Sequence, residues 1–206
     1  MSPAPFSAVL LAAGSSSRME GGFKQLLPLP TANGLEPAVR VTARAILAAN
    51  PVEVVVVTGH RAREVMSALA DLPVSLCSNP RHTEGQMTSV KAGLSALQAS
   101  CTAVMVCLAD MVLTRPEDYR TLADIFVDLP RDAILVPQHN GQRGNPVTFA
   151  ASRVPEVLSG TINPGCRQLI ADHPQDIVCR EFGHDRYTTD MDTLADYVHI
   201  RERLTG

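Results

Sequence analysis

Short apolar runs rich in Val, Ile and Leu recur along this chain at residues 7–12, 52–58, 74–77, 103–108 and 133–137, and stretches with helical periodicity separate them at 37–49, 61–72, 88–99 and 116–129. Runs of this length with little polar alternation suit strands covered on both faces. The intervening segments carry apolar residues three or four apart, as in Val90, Leu94 and Leu97 or Tyr119, Leu122 and Phe126, which gives each helix one buried stripe. Strand and helix alternating in this rhythm require right-handed crossovers. The pattern therefore predicts an α/β fold, a mainly parallel twisted sheet flanked by helices. The 206 residues suffice for one such domain, residues 1–206, with its own core.

Ligands of such sheets gather beyond the carboxyl ends of the strands, so the residues that follow each run carry the functional information. After the first run come Leu11, Ala12, Ala13, Gly14, Ser15, Ser16, Ser17, Arg18 and Met19, with Lys24 a few positions on. Small residues here let backbone N–H groups approach a phosphate chain, and Arg18 and Lys24 supply the countercharge; a plain β-turn uses the same small residues. After the fourth run stands Asp110, in CLADM. A carboxylate at the mouth of a buried strand either caps a turn or is joined by a cation. Mg²⁺ is the candidate, because it links one or two carboxylates to substrate phosphates.

Asp190 and Asp192, two apart, would point to the same side of an extended segment and add oxygens to that metal. Asp192 or Thr193 is equally placed to cap a helix over residues 194–204. The stretch EGQMTSV at 84–90, with Gly85 and Ser89, opens a helix. Its donors suit a base edge, a ribose or a phosphate, and its hydroxyls are also what a helix start demands. In QRGNPV at 142–147, Gln142, Gly144, Asn145 and Pro146 form either a ligand-facing loop or a tight turn before a strand, and turn chemistry does not call for Arg143.

Composition removes other classes. A net charge of −3 gives no reason to expect a surface for nucleic acid or an anionic membrane, so an anionic ligand must be met locally. Cys77, Cys101, Cys107, Cys166 and Cys179 are odd in number and hold no C-x-x-C pair, which argues against disulfides and zinc and for a reducing cytoplasm. The run at residues 8–13 follows no basic residue and is too short for a signal peptide. No stretch reaches the roughly 20 apolar residues of a membrane span. The six histidines lack metal-ligand spacing, residues 15–17 form no G-x-S-x-G elbow, and Met87, Met105 and Met111 read as packing.

LAAGSSSRM with Lys24, EGQMTSVKAGL, LADM, GQRGNPVTF and DMDT stand in the order and at roughly the spacing of the molybdenum cofactor cytidylyltransferases. From Val9 to about Asp196 the chain resembles these MobA-like nucleotidyltransferases. The resemblance implies a Rossmann-like, glycosyltransferase-A type nucleotidyltransferase fold. It also implies transfer of a nucleoside monophosphate from a Mg²⁺-bound triphosphate to a phosphate-bearing acceptor, releasing pyrophosphate. By the same resemblance, residues 11–24 hold the triphosphate with Gly85 and Ser89, Asp110 binds the metal with Asp190 and Asp192 beside it, and Arg18, Lys24 and Asp110 carry catalysis. Gln142, Gly144, Asn145 and Pro146 then face the acceptor.

Leu-Ala-Ala-Gly at 11–14 looks like the cytidylyl branch, where the guanylyl branch commonly has Leu-Ala-Gly-Gly. The implied ligands are CTP and molybdopterin, with a molybdoenzyme or its chaperone as onward partner and no nucleic acid or membrane. GTP, a sugar phosphate acceptor, and a non-catalytic nucleotide-binding protein remain the alternatives; the last would not need Asp110 and the late aspartates. The chain departs from the family pattern at Val112, where a proline is usual, at Gln86, where a methionine is, and in a longer, turn-rich segment at 28–34.

Overall fold

The computed structural model describes residues 5–16, 19, 22–160 and 167–205. Along the chain run β1 (Phe6–Ala12), β2 (Pro28–Thr31), β3 (Gly34–Pro37), α1 (Ala38–Ala48), β4 (Glu53–Thr58), α2 (Ala62–Ala68), β5 (Ser75–Ser78), α3 (Gln86–Ser95) and β6 (Ala103–Leu108). Then follow α4 (Pro116–Val127), β7 (Ile134–His139), β8 (Gln142–Arg143), β9 (Val147–Ala150), α5 (Val154–Ser159), α6 (Arg167–Asp172), β10 (Ile177–Glu181) and α7 (Leu194–Thr205). The main sheet has the order β10-β7-β9-β6-β1-β4-β5, with β8 paired to β7.

Both faces of the sheet are covered, which is why its central strands show no polar alternation. Leu10, Val56 and Met105 face Val39, Ile46, Val65 and Leu122 on α1, α2 and α4. The opposite residues Val9, Val57 and Val106 face Val90, Leu94 and Val157 on α3 and α5. Truncating one such side chain, Leu122 to Ala for instance, costs roughly 2–5 kcal/mol. Helix α3 lies so close to the sheet that a Cβ on Gly93 would come within 2.3 Å of Val9 and 2.7 Å of Val57.

Strand β1 is parallel to β4 and β6, with Leu11 opposite both Val57 and Leu108. The sheet is mostly parallel but mixed, because β9 runs antiparallel between β6 and β7. Its direction leaves no local mark in the sequence. Gln138 pairs with Arg143 and Ile134 with Phe149, so four steps along β7 (138 − 134) are matched by six across it (149 − 143), and a bulge at residues 144–146 takes up the difference. The longer segment at 28–34 is a hairpin of β2 and β3, closed where Gly34 takes φ +101°. Tyr197 Oη donates to the Pro28 carbonyl at 2.9 Å and seats α7 on it. Among the described residues no helix is long and apolar enough to cross a membrane.

Candidate active site

Because β1 and β6 are adjacent and parallel, the loops that leave Ala12 and Leu108 emerge side by side, and Ala109 N still donates to the Leu11 carbonyl at 3.1 Å. Leu11, Ala12 and Ala13 are buried, whereas Gly14 and Ser15 are exposed at the start of the loop. Ser16 adopts φ 56°, and its hydroxyl donates to Gln25 Oε1 at 2.8 Å while accepting Lys24 N at 3.1 Å. Buried Gln25 thereby ties the loop to the short turn that begins at Lys24. Arg18 lies outside the described residues.

Lys24 is the hub. Its ammonium pairs with Asp110 Oδ2 and lies 2.8 Å from Asp192 Oδ1, joining groups 86 and 168 positions away in sequence. Asp192 turns to Lys24 because its neighbour does the capping. Thr193 Oγ1 accepts Asp196 N at 3.2 Å, and Asp196 Oδ2 accepts Thr193 N at 2.7 Å and Asp192 N at 3.1 Å. Met191, fully buried, donates its N–H to the Asp110 carbonyl at 3.2 Å.

Desolvation opposes the charge on Lys24, but Asp110 and Asp192 outweigh it and hold the pKa above its usual value. Asp110 Oδ1 is buried and, among the described residues, has no hydrogen-bond partner. Asp190 stays exposed and outside the Lys24 contact. Desolvation and the charges of Asp192 and Asp110 push its carboxyl above its usual pKa. Among the described residues no three or more His, Cys, Asp or Glu side chains form a group able to hold a metal ion; Asp110 and Asp192 are the two carboxylates that pair with Lys24.

A profile of the MobA-like NTP transferase domain matches residues 8–177. The chain belongs to this family. It is 27% identical over 203 residues to the molybdenum cofactor cytidylyltransferase of Escherichia coli, covering 96% of each chain. Its fold is shared by a nucleotidyl transferase of Methanothermobacter, with a TM-score of 0.80 at 24% identity over 97% of both chains. A Mycobacterium tuberculosis protein solved as a complex with manganese gives a TM-score of 0.74 at 20% identity, over 96% of this chain and 98% of that one.

Two other sequence candidates of this MobA-like transferase frame the hub. Gly85, at φ 114°, precedes α3 in a conformation that favours glycine. Ser89 is buried and its hydroxyl accepts Asn79 Nδ2 at 2.9 Å, while Thr88 accepts the same group at 2.8 Å. Asn79 was not singled out by the sequence reading, although it follows β5 just as Asp110 follows β6. Also missed were the rings of His60, 5.4 Å from Phe23, and His82, 6.4 Å from His60. His60 N donates to the Ala13 carbonyl at 3.2 Å, which places them beside the Gly14 loop.

On the other flank, Gln142 is exposed on β8. Gly144 N donates to the Pro137 carbonyl at 2.8 Å, and a Cβ there would lie 2.2 Å from the Tyr187 carbonyl. Asn145, joined to Pro146 by a cis peptide bond, donates its N–H to that same carbonyl at 2.8 Å. The loop is thereby fastened to the segment that ends at Asp192.

Proposed function

We propose that this MobA-like transferase moves CMP from CTP to the phosphate of molybdopterin and releases pyrophosphate, with Mg²⁺ as cofactor. The observation that carries this reading is the convergence of Lys24, Asp110 and Asp192 beside the Gly14 loop. The Leu-Ala-Ala-Gly sequence and the end-to-end relationship to a molybdenum cofactor cytidylyltransferase favour CTP and molybdopterin over the alternatives.

The residues fit a hard divalent cation. Asp110 and Asp192 already share one positive group, and Asp110 Oδ1 is buried with no hydrogen-bond partner among the described residues. Two carboxylates suit Mg²⁺, which takes its remaining oxygens from water and substrate phosphates. The manganese complex of the M. tuberculosis protein is consistent with a divalent cation on this fold. Bound between Asp110 and Asp192, Mg²⁺ would neutralise phosphate charge and polarise the α-phosphoryl group.

The rest falls to the chain. An acceptor phosphate oxygen is ionised near neutral pH and attacks the α-phosphorus in line, so no general base is needed. The bond to the β-phosphate oxygen breaks and pyrophosphate departs with the electron pair. Lys24, kept protonated by its carboxylates, and Arg18 offset the charge of the triphosphate and the leaving group. The exposed Gly14 and Ser15 N–H groups and the α3 N-terminus at Gly85 hold the nucleotide. Gln142, Gly144, Asn145 and Pro146 face the acceptor.

Pyrophosphate release from CTP, GTP, ATP or UTP with Mg²⁺, with and without molybdopterin, tests the reading. Release confined to CTP plus molybdopterin is expected. Release with GTP alone reassigns the base, and no release with any triphosphate overturns the transfer itself.

A further inference from the structure

Asp192 stands at the end of a segment, residues 182–193, that joins β10 to α7 without helix or strand. A carboxylate on such a connection is a poor cation ligand unless the connection is fixed, because every bond it makes must repay the ordering of the loop. Among the contacts that fix this segment, one side chain stands out. Asp118, on the first turn of α4 and 4% exposed, accepts Arg186 Nε at 2.7 Å through Oδ2 and Arg186 Nη2 at 2.6 Å through Oδ1. This two-pronged fork fixes direction as well as distance.

Asp118 is itself held on two sides. Its Oδ2 accepts Arg115 N at 2.8 Å in a capping box, and its carbonyl accepts the hydroxyl of fully buried Tyr187 at 2.9 Å. Thr114 Oγ1 donates to the Arg186 carbonyl at 3.1 Å. Burial opposes the Asp118 charge, but the Arg186 fork and the Arg115 N–H hold its carboxyl below the usual value.

These bonds close a circuit. Asp110 leads through residues 111–117 to Asp118, the fork crosses to Arg186, the chain runs on to Asp192, and Met191 N returns to the Asp110 carbonyl. Both carboxylates of the pair thus hang from one ring of contacts, 68 positions apart at the fork. Stability alone does not explain a charged pair here, since buried ion pairs rarely improve on apolar packing. Tyr187 and Met191, both fully buried, already anchor the segment.

We propose that the Asp118–Arg186 pair is the positioning device that sets the Asp192 carboxylate against Asp110 and so determines affinity for a divalent cation. The inference rests on the reading above that Asp110 and Asp192 hold that cation.

The test is Mn²⁺ titration of the full-length protein, with free Mn²⁺ read by electron paramagnetic resonance. Arg186→Met is expected to weaken Mn²⁺ binding by about tenfold, the scale seen when partners of metal ligands are removed. Arg186→Lys, which keeps the charge but not the fork, should recover part of that loss. In the Arg186→Met/Asp192→Asn double variant the losses should not multiply, since both act through one carboxylate. Should Arg186→Met not fold by circular dichroism, Asp118→Asn takes its place in the cycle.

Unchanged Mn²⁺ affinity in the folded Arg186 or Asp118 variant, or fully multiplicative losses, would overturn the proposal. Full Mn²⁺ affinity in Asp192→Asn alone would instead overturn the cation site on which it rests, which keeps the two failures apart.

Discussion

At the amino ends of the strands, Pro5, Thr102, Phe126, Leu129, Pro130 and Ala150 line a largely apolar cavity of about 590 Å³. At the carboxyl ends of β1 and β6, three largely buried charged side chains meet within a loop cluster. The two regions stand at opposite ends of the parallel strands. Parallel strands explain the division: β1, β4, β5 and β6 deliver their outgoing loops to one side, and those loops carry the polar residues. Strand direction is what sets the polar end apart from the apolar one.

The contrast breaks if substitutions at the two ends have equal effects. Asp110→Ala is expected to lower kcat/KM for pyrophosphate release by about a thousandfold or more, the scale for removing a principal electrostatic element, without unfolding the protein. Lys24→Met should slow turnover by about a hundredfold. It should also tighten Mn²⁺ binding to the nucleotide-free protein, because Asp110 and Asp192 lose the ammonium they share. A variant that lost activity and Mn²⁺ affinity together would deny that shared position. Asp190→Asn, removing a carboxylate outside the Lys24 contact, should change kcat/KM by less than about threefold in the same assay.

At the amino end, Ala151→Leu adds apolar volume beside the cavity and should leave turnover within about twofold. A large loss there would bring the apolar end into the mechanism. The smallest effect concerns acid. Arg203 forks Asp185 at 2.7 and 2.7 Å and, by that hydrogen bonding, holds its carboxyl down to about 2 from an ordinary 3.8. A depressed folded-state pKa adds stability that is complete above the unfolded value and is lost as pH falls toward about 2. Asp185→Asn should therefore flatten the denaturation midpoint between about pH 4 and 2, by less than about 1 kcal/mol for so exposed a pair.

Strands β1, β4 and β6 were legible to within a residue at each end because burial on both faces suppresses alternation, and the loops beyond β1 and β6 followed from that alone. The direction of β9 was not legible, since antiparallel and parallel partners demand the same Val-Thr-Phe pattern of a short central strand. The choice between Asp192 and Thr193 as cap was written in the sequence as Thr193-x-x-Asp196, a capping-box spacing that leaves Asp192 to other work. The Asp118–Arg186 fork was beyond reach, because neither residue follows an apolar run and nothing local links positions so far apart. Reading only the ends of strands finds groups that meet ligands, and passes over groups that hold those in place.

The bulge at residues 144–146 has a further effect on how such a chain can change over generations. Loops after β1 and β6 lead into elements pinned by Gln25 and Asp118, so an inserted residue there would shift Lys24 or the α4 cap. The stretch between β7 and β9 leads into no crossover helix; its bulge is fastened to Pro137 and Tyr187, but the exposed hairpin tip at Asn140 and Gly141 can lengthen at little cost beyond loop-closure entropy. The flank proposed to face the acceptor can therefore be rewritten by insertion at that tip, while the bulge and the Gly14 loop stay as they are.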